Sequence, residues 1–188
     1  MITLIIVDCQ NDFITGTMAT KNARNSVNEI KGFIKNHVKE IEKILFIIDW
    51  HPYNHSSFKK YGGTHPQHCV QYTPGACIEP KLLKAIQSYN INYEVDRIGE
   101  IEEICNNGPF EDIEFVQDCL GGIYYFDSIV SANSNTEFVI CGAYDDLAFT
   151  VVNMLNENII PKIFVKGVFS PTNNIQTFIE EYKLEKIS

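Results

Sequence analysis

Apolar residues along the chain fall into two kinds of segment, continuous runs and amphipathic stretches. Continuous apolar runs are typical of strands that are buried on both faces of a sheet. Two such runs lie at 2–7 and 44–48, and shorter strand-like segments lie at 91–95, 138–141 and 163–165. The pattern therefore predicts five strands, each separated from the next by a longer and more polar segment.

The segments between these strands carry helical patterns. Residues 22–38 repeat apolar side chains at helical spacing, at Ala23, Val27, Ile30, Phe33 and Ile34. Further helices are predicted at 80–89, 122–132, 145–156 and 178–183. Alternation of strand and helix predicts an α/β fold with a doubly wound, mostly parallel sheet and helices on both faces. We expect residues 1–188 to form a single domain.

Polar features follow three of the predicted strands. Asp8 comes after the first strand, Asp49 after the second and Gly142 after the fourth. The carboxyl ends of parallel strands share one edge of the sheet, and ligands bind there, near the point where strand order reverses. We therefore expect these residues to meet at one cleft.

Composition narrows the classes of partner. Of the 188 residues, 45% are hydrophobic and 21% are charged, which indicates an ordinary globular chain. The net charge of −9 argues against a nucleic-acid partner, because phosphate backbones need a concentrated basic surface. No apolar run reaches the ~20 residues that span a bilayer, so we expect no membrane partner. A small molecule remains as the expected ligand.

The first residues and the cysteines indicate the cellular compartment in which the protein is expected. Met1 leads directly into the first apolar run without a basic segment or a small-residue cleavage site, so we expect no signal peptide and a cytoplasmic protein. The six cysteines show no regular spacing and no Cys-x-x-Cys pair. We therefore interpret them as free thiols, several of them buried.

One carboxylate and three imidazoles lie close together in the sequence, just after the second predicted strand. They are Asp49, His51, His55 and His68, and they precede or lie within a long segment rich in Gly, Pro and His. Neutral imidazole is the commonest metal ligand in proteins. This donor set suits one divalent metal ion, with Zn²⁺ as the first choice and Fe or Mn as alternatives.

The first eighty residues resemble the nicotinamidase branch of the nicotinamidase and isochorismatase-like cysteine hydrolase family. The matching segments are LIIVDCQNDF at 4–13, DWHP at 49–52, His55, SF at 57–58, HCVQ at 68–71 and TPGA at 73–76. The resemblance implies the isochorismatase-like hydrolase fold. It also implies hydrolysis of nicotinamide to nicotinate and ammonia, and commonly a homo-oligomer.

The resemblance also implies roles for individual residues. Asp49, His51, His55 and His68 would hold the metal, and Asp8 would take the proton of a cysteine nucleophile. Phe13 would line the substrate pocket, which is expected to accept a nicotinamide-like molecule.

Other family positions differ in this chain. The motif after the fourth strand reads GAYDDLAF, which places Ala148 at the nucleophile position and assigns Tyr144 to the ligand pocket. The family lysine falls on Arg97, and His65 replaces a tryptophan that packs against the substrate ring. Asp146 would take a structural position. Asp145 is either a helix-start residue or a new acid in the pocket, and the first reading is preferred because carboxylates favour helix N-termini.

Several explanations of these differences stay open. The chain is either a natural non-hydrolytic relative that still binds metal, or a hydrolase in which water activated by the metal attacks with Asp8 as the base. An engineered substitution at Ala148 and a partner-binding protein with a relic pocket are further alternatives. The family amidase activity is expected to be impaired or changed, because an alanine cannot attack a carbonyl group.

Overall fold

The computed structural model describes residues 1–98, 136–171 and 175–188, and it describes side chains in these ranges except at 96–98. The helix predicted at 122–132 lies outside the described residues. Within the described part of the chain, no helix is both long and apolar enough to cross a membrane.

A six-stranded, all-parallel sheet forms the centre of the fold, in the order β3-β2-β1-β4-β5-β6. The strands are β1 (Ile2–Val7), β2 (Ile41–Asp49), β3 (Tyr93–Ile98), β4 (Glu137–Ala143), β5 (Lys162–Phe169) and β6 (Lys186–Ile187). The chain builds outward from β1 to β3 and then returns to the other side of β1 with β4. This reversal confirms the predicted doubly wound fold.

Helices cover both faces of the sheet. They are α1 (Asn11–Ile14), α2 (Ala23–Asn36), α3 (Pro80–Ser88), α4 (Tyr144–Asn156) and α5 (Ile175–Tyr182), with two 3₁₀ turns at Lys59–Tyr61 and Pro74–Ala76. On β1, Leu4 and Ile6 join the core shared with α2 and α3, whereas Ile5 and Val7 join the core shared with α4 and α5. Both faces of this strand are therefore buried, which explains its continuous apolar run.

The start of β2 differs from the prediction because the first residues of the strand include polar ones that are not buried. β2 begins at Ile41, ahead of the predicted start, because Glu42 and Lys43 extend the strand outside the apolar run. The short helix α1 and the two-residue edge strand β6 were not predicted, since neither is long enough to show periodicity.

Gly142 lies where β4 passes closest to β1, at the reversal of strand order. Its φ of 122° belongs to a region that side chains with a Cβ rarely adopt. A Cβ at this position would also collide with the carbonyl oxygen of Val7. Only glycine therefore allows β4 to pair with β1 as far as Gly142, two residues before α4 begins.

We predict that Gly142→Ala lowers the free energy of unfolding by at least about 2 kcal/mol, because strain and a backbone clash add at one site. Gly32→Ala is the matched control, since Gly32 lies in α2 with open space around its Cα. The control should raise stability by roughly 0.5–1 kcal/mol. Urea denaturation of the three proteins checks this, and equal stabilities would contradict the account of Gly142.

Candidate metal centre and adjoining cleft

The candidate site lies at the edge formed by the carboxyl ends of β1, β2 and β4. Asp8 follows β1 directly and has a φ of 50°, an unusual backbone conformation for a residue with a side chain. Its N–H donates to the carbonyl of Ile47 at 2.8 Å, which continues the pairing of β1 with β2. The strained residue is thus held by the sheet itself, as is common at functional sites.

Asp49, the last residue of β2, contacts two histidines. Its Oδ2 is 3.1 Å from Nε2 of His51 and 3.4 Å from Nε2 of His68. One ligand atom from each of the three buried residues falls within 4.8 Å of the others. The structure therefore brings three of the four predicted metal ligands together.

A local bridge brings these residues together although His68 is distant from β2 in sequence. The N–H of His51 donates to the carbonyl of Cys69 at 3.0 Å, and the carbonyl of His51 accepts the N–H of Gln71 at 2.9 Å. The segment around residue 70 thus runs alongside the end of β2. Pairing of main chains fixes the separation of His51 and His68.

The orientation of His68 suits a metal ligand. Its Nδ1 lies 2.8 Å from the carbonyl of Pro66, so Nδ1 carries the proton and donates, leaving Nε2 as the free nitrogen beside Asp49. Ligating histidines characteristically hold their other ring nitrogen in this way. The buried Nδ1 of His51 has no hydrogen-bond partner among the described residues. A buried carboxylate with neutral imidazoles is a chemical fit for one divalent cation.

His55 lies beside the group without joining it. Its ring stacks on that of His51 with centroids 4.3 Å apart, and its Nδ1 is 2.7 Å from Oγ of Ser57. Its ligand atoms fall outside the 4.8 Å set of Asp49, His51 and His68. His55 therefore lines the same cleft as the other three predicted ligands, but it lies outside the group that their ligand atoms form.

A single buried aromatic ring supports all three imidazoles. Phe58 is fully buried and meets His51, His55 and His68 in edge-to-face contacts, with centroid distances of 5.7, 5.6 and 5.4 Å. Edge-to-face contacts of this kind restrict ring rotation as well as burying apolar surface. Phe58 is a positioning residue that the histidine pattern alone did not reveal.

The electrostatics differ from one residue of the site to the next: they keep Asp49 ionised and His55 neutral, whereas they favour a proton on His68. Burial would raise the pKa of Asp49, but the charges and hydrogen bonds of His51 and His68 outweigh burial and hold it below its ordinary value. Burial, and then the neighbouring His51, lower the pKa of His55 to about 4, so this imidazole is neutral at pH 7. Burial opposes the charge of His68 too, yet its hydrogen bonds to Asp49 and Pro66 leave its pKa raised.

Gln10 and Asp12 hold the backbone of the site in place through hydrogen bonds. The sequence analysis assigned them no role. The amide of Gln10 donates to the carbonyl of Asp49 at 2.6 Å and accepts the N–H of Asp49 at 2.8 Å. Asp12 accepts the N–H of Cys69 at 2.8 Å. Both lie in the LIIVDCQNDF segment, so the signal that could have found them was the resemblance around Asp8.

Beside the three ligand residues is a cleft of about 480 Å³. Its apolar wall combines Phe13, Met18, Ala143, Phe169 and Pro171. Its polar wall includes His65, Tyr144, Asp145 and Asp146. The sequence-predicted pocket residues Phe13, His65 and Tyr144 all line this cleft.

Asp8 and Asp146 form a contact between two carboxyl groups. Asp8 is fully buried, and neither of its oxygens has a hydrogen-bond donor of good geometry among the described residues. The carboxyl of Asp146 lies close enough for the two acids to interact. Burial, then repulsion from Asp146 and Asp49, hold the pKa of Asp8 well above its ordinary range.

Comparison with known proteins finds similarity to nicotinamidases over part of the chain. No family model matches the chain. The nicotinamidase of Escherichia coli (strain K12) is 32% identical over 95 residues, which covers 42% of this chain and 45% of that protein. The chain is related to the nicotinamidases. It nevertheless matches less than half the length of this curated relative.

Solved structures resemble the nicotinamidase-like chain over its full length. A Pyrococcus horikoshii pyrazinamidase in complex with zinc gives a TM-score of 0.67 at 21% identity, covering 100% of this chain and 98% of its own. The yeast nicotinamidase bound to the inhibitor nicotinaldehyde gives 0.70 at 18% identity and covers 100% of both chains. These similarities establish the isochorismatase-like fold.

The nicotinamidase-like chain does not place Ala148 in the cleft. Ala148 is partly buried and packs against the core between the sheet, α4 and α5. The residue of α4 that lines the cleft and meets Asp8 is Asp146, two positions earlier. Asp146 was expected to be structural, and the structure instead puts its carboxyl at the ligand side of the helix start. The more exposed Asp145 lies on the same wall, so it too faces the cleft.

Neither Arg97 nor the cysteines contribute a described side chain to the cleft. Arg97 lies in β3 opposite Ile48 of β2, and its side chain is outside the described residues. None of the described cysteines lines the cleft. Burial raises the pKa of Cys9 and Cys141, and burial with the nearby carboxylates raises the pKa of Cys69. These thiols are therefore poor nucleophiles.

We predict that Asp146→Asn stabilises the metal-free protein more at pH 8 than at pH 4. Burial, then repulsion from Asp49, raise the pKa of Asp146 to about 6 from an ordinary 3.8. A raised folded-state pKa favours the fold below pH 4, and that contribution is lost as the pH rises through 6.

The asparagine carries no such ionisation, so its advantage over Asp146 should grow by up to about 3 kcal/mol across this window. Chemical denaturation with a chelator present measures it at each pH. Parallel curves for the two proteins would show that Asp146 ionises as freely in the fold as in the unfolded chain.

Proposed function

We propose that this chain binds one divalent metal ion and a small ring-bearing molecule side by side, and that the cysteine-based amidase reaction is lost or changed in it. The observation that carries the proposal is the convergence of Asp49, His51 and His68 at the floor of an apolar-walled cleft. In the proposed site His55 joins these three residues as the fourth ligand. The cytoplasmic location and homo-oligomeric state stay predictions.

A zinc ion is the first choice for the metal. Nitrogen and oxygen donors in this number suit Zn²⁺, with Fe and Mn as alternatives. The zinc-bound Pyrococcus horikoshii pyrazinamidase, which shares the fold, supports this choice. When bound, the metal would supply a positive centre that orients a ring nitrogen or other donor of the ligand.

The ligand is expected to resemble nicotinamide in size and shape. The yeast nicotinamidase of the same fold holds nicotinaldehyde, and a related structure from L. infantum holds nicotinate. A cleft of about 480 Å³ is large enough for one such ring and its substituent. Phe13 and Phe169 would contact the ring faces, while Tyr144 and His65 would meet its polar edge.

The chemistry of the cleft is set by the residue opposite Asp8. A cysteine nucleophile needs a base that takes its proton, and Asp8 instead faces the carboxyl of Asp146. We propose that Asp8 therefore has no thiol to activate and that a thioester does not form here. The proposal thus keeps the family binding site and changes its reaction.

A second candidate is direct hydrolysis by water. The neighbouring carboxyl groups of Asp8 and Asp146 favour it, because one ionised and one protonated carboxyl can act together. The ionised group would accept a proton from the attacking water. The protonated group would donate to the departing amine nitrogen as the carbon–nitrogen bond breaks.

We predict that His51→Ala removes most of the bound metal. The wild-type protein should hold about one ion per chain after loading with Zn²⁺ and dialysis. The matched control is His65→Ala, because His65 lines the same cleft but lies outside the group of ligand atoms. Elemental analysis of the three proteins measures the ratio. Full metal content in His51→Ala would overturn the metal site.

We predict that Asp146→Cys releases ammonia from nicotinamide at least ~10-fold faster than the wild-type protein, because the new thiol would face the base Asp8. Ala148→Cys should give no increase, since that side chain packs into the core behind α4. Ammonia release by each zinc-loaded protein is the measurement. A gain from Ala148→Cys alone would restore Ala148 as the nucleophile position.

A further inference from the structure

The described wall of the cleft is acidic and lacks a balancing side-chain cation. Asp49, Asp145 and Asp146 line it, and no described lining residue is Lys or Arg. The three histidines around Asp49 can be neutral, and a bound divalent ion would offset the charge of Asp49. Asp145 and Asp146 would then remain as negative groups in the cleft.

Asp146 is the more enclosed of these two acids. It lies on the first turn of α4, with its carboxyl against the fully buried Asp8. Asp8 finds no N–H or O–H donor of good geometry among the described residues. A donor group entering the cleft would give Asp146 a partner and relieve the contact between two acids.

The apolar wall limits the shape of the group that brings this donor. Phe13, Met18, Phe169 and Pro171 line the cleft together with the two acids. Phe13 also meets His68 edge to face with centroids 5.7 Å apart, which places an aromatic ring next to the metal ligands. A flat ring that packs on these apolar side chains would hold its substituent in the same cleft as Asp146.

We propose that the cleft selects a ring-bearing organic cation, in which a protonated amine on the ring substituent binds the carboxylate of Asp146, over the corresponding carboxylate. The inference rests on the proposed function, because it concerns the same metal-adjacent cleft. It adds the chemical class of the ligand. An amine donates to Asp146, whereas a carboxylate would face two acids at the same point.

Three pyridines that differ only in the substituent test this preference. They are 3-(aminomethyl)pyridine, nicotinamide and nicotinate, which carry a positive, neutral and negative group at pH 7. All three share the ring nitrogen that a metal could hold, so differences in affinity report the substituent. Calorimetric titration of the zinc-loaded protein should give the amine at least ~10-fold tighter binding than nicotinamide, with nicotinate weakest.

Variants locate the source of the preference. Asp146→Asn should remove most of the advantage of the amine while metal content stays unchanged. Asp145→Asn should reduce it less, because Asp145 is more exposed. Glu157→Gln is the matched control, since it removes the same charge from the far end of α4 and should leave the ranking intact.

The outcomes separate this inference from the proposed function. Nicotinate binding as tightly as the amine, or an unchanged ranking in Asp146→Asn, would overturn the inference while leaving a ligand-binding metal protein. Absence of binding by all three pyridines to the zinc-loaded protein would overturn both. Loss of metal in Asp146→Asn would assign Asp146 to the metal and refute its role as the amine partner.

Discussion

The close approach of β4 to β1 at Gly142 is the constraint on which the site depends. Because no Cβ intervenes, β4 stays paired with β1 as far as its last residues. The chain then turns directly into α4, whose first turn reaches the end of β1. Asp8 and Asp146, far apart in sequence, meet only for this reason. The polar contact in the cleft is therefore a consequence of backbone geometry two residues before α4.

A second constraint couples the metal ligands to the core. Gln10 is fully buried. Its side-chain amide both donates to and accepts from the backbone of Asp49, and it also donates to the carbonyl of Ala76 at 2.8 Å. A buried amide without such partners would cost about 1–3 kcal/mol. A shift of the end of β2 would thus leave the buried amide of Gln10 without hydrogen-bond partners or expose it to solvent. Rigid placement of Asp49 is what allows the histidines to be positioned around it.

Sequence patterns predicted the sheet and most of the metal centre because both rest on local information. The apolar run of β1 reports burial on both faces, and three metal-ligand positions lie within seven residues of one another at the end of β2. His68 lies further along and was predicted from the density of histidines in this segment, without a fixed spacing. Its position follows from main-chain pairing of 51 with 69 and 71, which no periodicity reveals.

The start of α4 could not be predicted to the residue. Successive helical residues are turned by roughly 100°, so positions two apart point about 200° away from each other. An alignment that is shifted by two residues therefore assigns to the cleft a residue whose side chain faces the core. Ala148 and Asp146 differ by this shift, and the resemblance assigned the nucleophile position to Ala148. Only the contact with Asp8 distinguishes them.

A carboxyl at this position changes the physics of the cleft more than the loss of a thiol alone would. A thiol beside Asp8 is neutral until its proton is removed, whereas Asp146 adds a second acid to a buried one. The pair can be satisfied by a shared proton, by a cation in the cleft or by both in turn. In the proposed function, ligand binding and proton transfer would be linked through one contact, since a cationic group that binds Asp146 favours its ionised form. The neighbouring metal centre keeps its own donors, so the two halves of the site can change independently.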